Sequence, residues 1–255
     1  QQKLMGAIAF SGALALVLGG CAANTGTDGE GNGDGDAAAT EMADYNPQPR
    51  ENLQEGGEAH FPINEIPEQL NAFNGDGSAD TARIAAWYMP QILLQEPDGT
   101  PYKHDAYLDE WKIDTVDGNT QITFTFTDDA HWNDGTDMDW TAIEATWKAN
   151  RSIEEGFNPN ATDGYKQIKS VEQGDTAKTA IVTFDGEFAW PEMPFLTGII
   201  HPALADPTKF NEAMIDDPHP ECRAGPNTLD EFDANKDYVS FNPNTEWWGD
   251  NPLLD

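Results

Sequence analysis

Cys21 and Cys222 are the two thiols of a 255-residue chain that also carries 46 carboxylate side chains and five histidines. Each of these types has chemistry open to it. Two carboxylates flanking a glycosidic bond can act as acid and base. With 46 of them, however, chance neighbours are everywhere and sequence singles out no pair. His60, His104, His131, His201 and His219 are widely spaced and form no H-E-x-x-H motif. His219-Pro220-Glu221-Cys222 brings three ligand types together, but Pro220 stiffens the spacing and no further ligand follows. Asp28, Glu30, Asn32 and Gly33 sit near the opening positions of a calcium loop. That loop needs a bidentate Glu at its twelfth position, which here is Ala39. The chain has no nucleophile elbow, no phosphate loop and no dinucleotide-binding glycine pattern after a strand. The reading is therefore of no catalytic residue, no metal and no cofactor.

Charge narrows the partners. Lys plus Arg number 13 against 46 Asp plus Glu, a formal net charge of −33. Nucleic acid is excluded, because phosphate binding draws on Lys and Arg. Electrostatic adhesion to anionic lipid is disfavoured for the same reason. Eight Trp, twelve Phe and six Tyr nevertheless supply a core. The length suits one or two domains.

The N-terminal stretch reads as an address. Met5 to Leu18 is an apolar run of 14 residues, with Lys3 ahead of it. It is short of the roughly 20 residues that span a bilayer and matches the h-region of a secretion signal. It ends Leu18-Gly19-Gly20-Cys21, which resembles a bacterial lipobox. That resemblance implies lipidation of Cys21, attachment to the membrane through the lipid, and residence on the outer face of the cytoplasmic membrane. The first residue is Gln1, so the start of the gene product is expected to be missing. Residues 22–56 are acidic and Gly-rich and predict a disordered tether between anchor and body.

The body is expected from Gly57 onward. Ala59–Ile63 is a short strand candidate interrupted by Pro62. Asp80–Met89 predicts a helix ended by Pro90. Glu110–Val116 and Gln121–Thr127 alternate apolar and polar residues around Asp117-Gly118-Asn119-Thr120, which predicts a hairpin with one wet face. Asp134-Gly135 predicts a tight turn, and Trp140–Arg151 a helix. Ile168–Val171 and Ala180–Phe184 predict a second strand pair, joined through Gln173-Gly174-Asp175. Phe195–Ile200 reads as a buried strand and Tyr238–Phe241 as the last one.

Three segments resemble one family. Ala106–Trp111, Ile122–Phe126 and Ala130–Thr136 together match its "Leu-Ala-x-x-Trp", its strand and its "aromatic-x-Asp-Gly-Thr" before a helix. Gly164–Glu172 matches the strand after that helix, and Asn242–Gly249 resembles its "Asn-Pro-x-Tyr-Trp". In this order they are similar to the extracytoplasmic solute-binding proteins of family 5, the peptide- and oligopeptide-binding proteins of ABC importers. The chain departs at Arg223-Ala224-Gly225-Pro226-Asn227, which lacks the family's aromatic after Pro, and matches only loosely at Gln69-Leu70-Asn71-Ala72. Family members are about twice as long, so an N-terminal fragment is expected.

The resemblance implies an α/β fold of the periplasmic-binding-protein class II type, a mixed-sheet lobe with an inserted smaller α/β lobe. Residues 57–90 plus 168–255 would form the first lobe and residues 91–167 the insert, with the second ligand lobe missing. It implies a groove edged by Ile63, Asn64, Glu65 and Ile66, with Thr197 and Gly198 across it. Trp111, Trp132 and Trp140 are read as packing residues. The implied role is that of a monomeric, non-enzymatic binding protein that passes peptides, or another small solute such as a sugar or nickel complex, to ABC permease subunits. A secreted carbohydrate-active enzyme is the competing reading, and it requires two carboxylates facing each other across a cleft.

Overall fold

Residues 46–233 and 238–255 are those the computed structural model describes, and all belong to one contact unit. The expected signal segment 1–21, its Cys21 and the tether up to residue 45 lie outside them. The described part of the expected tether is docked. Arg50–Asn52 form one 3₁₀ turn, and the Arg50 guanidinium donates to the Asn251 carbonyl. Gly56 N–H then donates to Leu253 at 2.7 Å, and Asp255 N–H to Gly57 at 3.1 Å. Gly56 and Gly57 hold φ of 90° and 91°, a region that glycine enters without Cβ strain. Those main-chain bonds explain why polar, Gly-rich sequence is ordered here.

Helix α1 covers Ala79–Ala85. The Ser78 side chain accepts from the N–H groups of Asp80 and Thr81, while Thr81 Oγ1 accepts from Ser78 N–H, so both ends of the cap are satisfied. The chain leaves the helix at Ala85 and turns through Trp87–Met89, short of the helix to Met89 that composition suggests. Strands β1 (Leu93–Gln95) and β2 (Pro101–Lys103) form a small hairpin.

Strands β3 (Leu108–Val116) and β4 (Asn119–Phe126) form the expected hairpin. Its loop is two residues, Asp117 and Gly118, both at positive φ (51° and 79°), which suits the twist of the flanking strands. Asn119 and Thr120 are therefore strand, not loop. Helix α2 (Trp140–Asn150) starts at Asp139, whose side chain accepts from Thr141 N–H. Strands β5 (Ile168–Gln173) and β6 (Thr179–Phe184) follow.

These four strands make one antiparallel sheet in the order β3-β4-β6-β5. The expected boundary between residues 167 and 168 therefore runs through a sheet: β4 pairs with β6 from Gln121↔Thr183 to Thr125↔Thr179. The physical reason is a shared apolar face. Ile122, Phe124 and Phe126 of β4 and Ala180, Val182 and Phe184 of β6 are all buried. Their strands complete each other's main-chain bonds while covering that face. The outer strand β3 exposes Ile113 and Val116, but Asp109, Glu110, Lys112 and Asp114 punctuate its edge with charge.

Helix α2 has two apolar sides. Ile143 and Trp147 join the core over the sheet. Ala145 and Ala149 join a second core with Phe73, Ile84, Tyr88, Met89 and Phe210. Helix α3 (Pro207–Glu212) contributes Phe210. Strands β7 (Asn227–Asp233) and β8 (Tyr238–Pro243) form the last antiparallel pair.

Two expected strands are absent. Ala59–Ile63 has no ladder, because Pro62 lacks a donor and no neighbouring strand is in register. Phe195, Ile199 and Ile200 are buried as expected while Thr197 is exposed, but Met193–Phe195 is a 3₁₀ turn led by Pro194, and Gly198 at φ 116° bends the rest.

Candidate functional site

The expected groove edges sit at opposite ends of α1. At its first turn, Asp80 is 3% exposed and points its carboxylate at the chain ahead of it. Asp80 Oδ2 accepts from Asn64 N–H at 2.9 Å and from Glu65 N–H at 3.2 Å. Arg83 Nη1 donates to Asp80 Oδ1 at 2.5 Å. The Arg83 hydrogen bond outweighs burial and, with the two N–H donors, holds the Asp80 carboxyl below the usual carboxylate range. Two successive N–H groups converging on one oxygen cannot occur in a straight strand, where they alternate sides. The segment is therefore bent at Asn64.

Glu65 and Ile66 line a cleft of about 530 Å³ with Glu68, Asp76, Ser78 and Ile215. Ile63 packs against the core that contains Ile84 and Tyr88. Thr197 is exposed and Gly198 buried, beyond the far end of α1. A Cβ on Gly198 would lie 2.5 Å from the Pro90 carbonyl oxygen. Ile199 N–H donates to that same oxygen at 3.2 Å. The cleft is lined from the 63–66 side and includes neither Thr197 nor Gly198.

The motif segments, by contrast, converge. Tyr107 Oη donates to the Ala224 carbonyl at 2.7 Å. Asn244 Nδ2 donates to Asn133 Oδ1 at 3.0 Å and to the Gly225 carbonyl at 2.8 Å. Trp248 Nε1 donates to Ala106 at 2.7 Å, and Tyr107 packs between Trp247 (5.3 Å) and Trp248 (5.5 Å). These residues join distant parts of the chain and leave little surface to a ligand. Trp132 is 1% exposed, and Trp111 and Trp140 are half-buried against the sheet core, so all three pack.

The turn at Asp134-Gly135 carries a further contact. Asp134 Oδ1 accepts from Thr136 N–H at 2.9 Å and Thr136 Oγ1 at 2.6 Å. His201 Nε2 stands 3.3 Å from Asp134 Oδ2 and 3.3 Å from Thr136 Oγ1. His201 Nδ1 accepts from Ala203 N–H at 3.0 Å. Burial lowers the imidazole pKa against the pull of Asp134 and Glu221. Burial pushes the Asp134 carboxyl up, but the Thr136 bonds and His201 outweigh it and the net shift is downward.

At the His219–Cys222 run, His219 Nδ1 meets Glu221 Oε1 at 2.6 Å, while Cys222 faces the interior. Among the described residues no three His, Cys, Asp or Glu side chains converge as metal ligands. Burial, aided by Glu221, pushes the Cys222 thiol up to about 11.

Three features had no signal in the sequence. Asp80 was one acid among many. Arg223 is 1% exposed, donates through Nη2 to Leu70 at 3.2 Å, and lies over the Tyr88 ring at 5.1 Å. Phe61 and Trp87 pack at a tilt of 42° at the surface with centroids 5.1 Å apart, and Phe241 lies 6.4 Å beyond Trp87. The arrangement offers main-chain carbonyls, carboxylates and aromatic faces, which suit holding a solute by contact.

Comparison with known proteins identifies the family and the fold. The family described as "Bacterial extracellular solute-binding proteins, family 5 Middle" matches residues 104–255. The oligopeptide-binding protein OppA of Mycobacterium tuberculosis is 30% identical over 248 residues, 95% of this chain and 41% of that protein. The chain thus spans about two fifths of the length of the curated relatives it matches. Among solved structures, the periplasmic EDTA-binding protein EppA is similar at TM-score 0.65 and 23% identity, over 79% of this chain and 39% of that one. The oligopeptide-binding protein AppA from Bacillus subtilis, in complex with a nonapeptide, is similar at TM-score 0.64 and 16% identity, over 79% and 39%.

Proposed function

We propose that this chain, which belongs to the bacterial extracellular solute-binding proteins of family 5, captures peptides outside the cytoplasmic membrane and delivers them to the permease subunits of an ABC importer. The observation that carries the peptide reading is the 30% identity to OppA across 95% of this chain. The fold alone does not choose the solute, since its likeness extends both to a protein named for EDTA and to one holding a nonapeptide.

In this reading Ile63, Asn64, Glu65 and Ile66 form one rim of the site, and Thr197 and Gly198 a second rim beyond α1. A groove that reads main chain needs few signature side chains, which accounts for the lack of a chemical motif. Cys21 carries the lipid that holds the protein at the outer face of the membrane, and the protein works as a monomer without a cofactor. Two acyl chains suffice for stable attachment where one is marginal.

Calorimetry on the whole encoded protein tests the solute class, with a random peptide library, a nickel–histidine complex and a sugar panel as probes. Binding of peptides alone supports the reading. Binding of the nickel complex or a sugar alone replaces it with another solute of the same class of transporter. Cys21→Ala should release the protein from carbonate-washed membranes, and its retention there would place the anchor elsewhere.

A further inference from the structure

Asp80 is a buried carboxylate whose two oxygens are divided between a side chain and a backbone. Oδ1 takes the Arg83 guanidinium, and Oδ2 takes the N–H groups of both Asn64 and Glu65. The carbonyls of Ile63, Asn64 and Glu65 accept no hydrogen bond from the described residues, and Asn64 and Glu65 are exposed. Glu65 also lines the cleft beside α1. We propose that Asp80 is a positioning residue that fixes the main-chain hydrogen-bond polarity of this rim, so that the backbone at Asn64 and Glu65 accepts from a solute and cannot donate to one.

The proposal rests on the reading of residues 63–66 as a solute rim. Its physical content is an exclusion. A strand added to an edge pairs with both the N–H and the C=O of the same residue. At Asn64 and Glu65 the N–H is turned inward to Asp80, so a regular ladder cannot form across them. A solute lying there is held through its own donors, such as a peptide amide N–H. A chain that presents a proline or an N-methylated amide at that point loses the contact and leaves the rim carbonyl to water.

Asp80 also makes the arrangement costly to reverse. Its carboxylate is charge-assisted toward Arg83 and toward both N–H groups, and such bonds are stronger than neutral ones. Ser78 and Thr81 cap the same turn, so the carboxylate is held in place from both sides of its own residue. No other described side chain bonds either N–H group.

The test is a cycle between Asp80 and one amide of the solute, on the whole encoded protein. A random pentapeptide library supplies the tightest binder, which is resynthesised with one amide N-methylated at a time. In the unaltered protein, methylation of one particular amide is expected to weaken binding roughly tenfold, the scale of a lost hydrogen bond to a partner left unpaired. In Asp80→Ala that penalty is expected to shrink severalfold. Where Asp80→Ala does not fold, Asp80→Leu, which fills a similar space and offers no acceptor to either N–H group, serves the same comparison. Equal penalties in variant and unaltered protein would mean that Asp80 only supports the fold, and would overturn the inference while leaving peptide binding intact. Failure of every library member to bind would overturn the peptide reading and the inference together.

Discussion

The His201 imidazole stands 3.3 Å from the Asp134 carboxylate, across the seam between a turn and a loop distant from it in sequence. The ring is 7% exposed, and the edge of Trp132 closes over it at 4.7 Å. Its Nδ1 already accepts from Ala203 N–H, so a second ring proton would face a donor.

That geometry sets the sign of a pH effect. Burial holds the folded-state pKa of His201 below its ordinary 6.5, so the unfolded chain binds the proton first. Stability is fully present above 6.5 and is lost as pH falls from there through the lowered folded value. Asp134 and Asp80, both lowered from 3.8, add losses of the same sign at lower pH. His104, also lowered by burial, shares the first window. His201→Asn keeps an acceptor for Ala203 without a titrating ring. Thermal unfolding followed between about pH 7 and pH 5 should fall less steeply in that variant. An unchanged slope would assign the window to His104.

Phe124 is fully buried in β4, edge-on to Phe195 at 5.1 Å. Phe124→Ala should cost about 3–5 kcal/mol, the usual price of an aromatic-sized hole in a core. Urea unfolding measures it. A loss below about 1 kcal/mol would mean that the sheet core collapses to refill the space.

Gly198→Ala should destabilise more than Gly99→Ala. Both have positive φ, 116° and 88°. A Cβ at position 198 would meet the Pro90 carbonyl at 2.5 Å, whereas at position 99 nothing lies within 4 Å. The open position should lose about 1 kcal/mol from backbone strain alone. The difference between the two variants in thermal unfolding isolates the clash, and equal losses would show that the loop simply moves aside.

Cys222 is a free thiol among the described residues, 7% exposed and pushed up to about 11. The thiolate is the reactive form, so alkylation at neutral pH should be slow in the native protein and fast in urea. A Cys21→Ser background leaves Cys222 as the one thiol of residues 1–255, and peptide mapping of the label reads that residue directly. Prompt native labelling would place Cys222 nearer the surface.

What was legible followed periodicity. The alternation of Ile122, Phe124 and Phe126 predicts β4 and the β-branched content of its partner predicts β6, and the structure buries Ile122, Phe124 and Phe126 together with Ala180, Val182 and Phe184. Strand β7 was not legible: only Leu229 and Phe232 are apolar in its seven residues, and its pairing with β8 makes it a strand. Phe195–Ile200 misled because apolar content reports burial and is silent about backbone direction. The rim residues were reached through family resemblance, and the bend at Asn64 depends on a carboxylate sixteen residues away from it. Nothing in local pattern marks Asp80 among 46 acids.

The clasp of Gly56 and Gly57 against Leu253 and Asp255 has a mechanical meaning. Tension arriving from the N-terminal side meets these bonds before any strand of the central sheet. Pulled in that direction the clasp, a shear pin of few bonds, is loaded ahead of the strands. The ladders of the sheet lie behind it along the chain, so a pull that opens the clasp reaches them second.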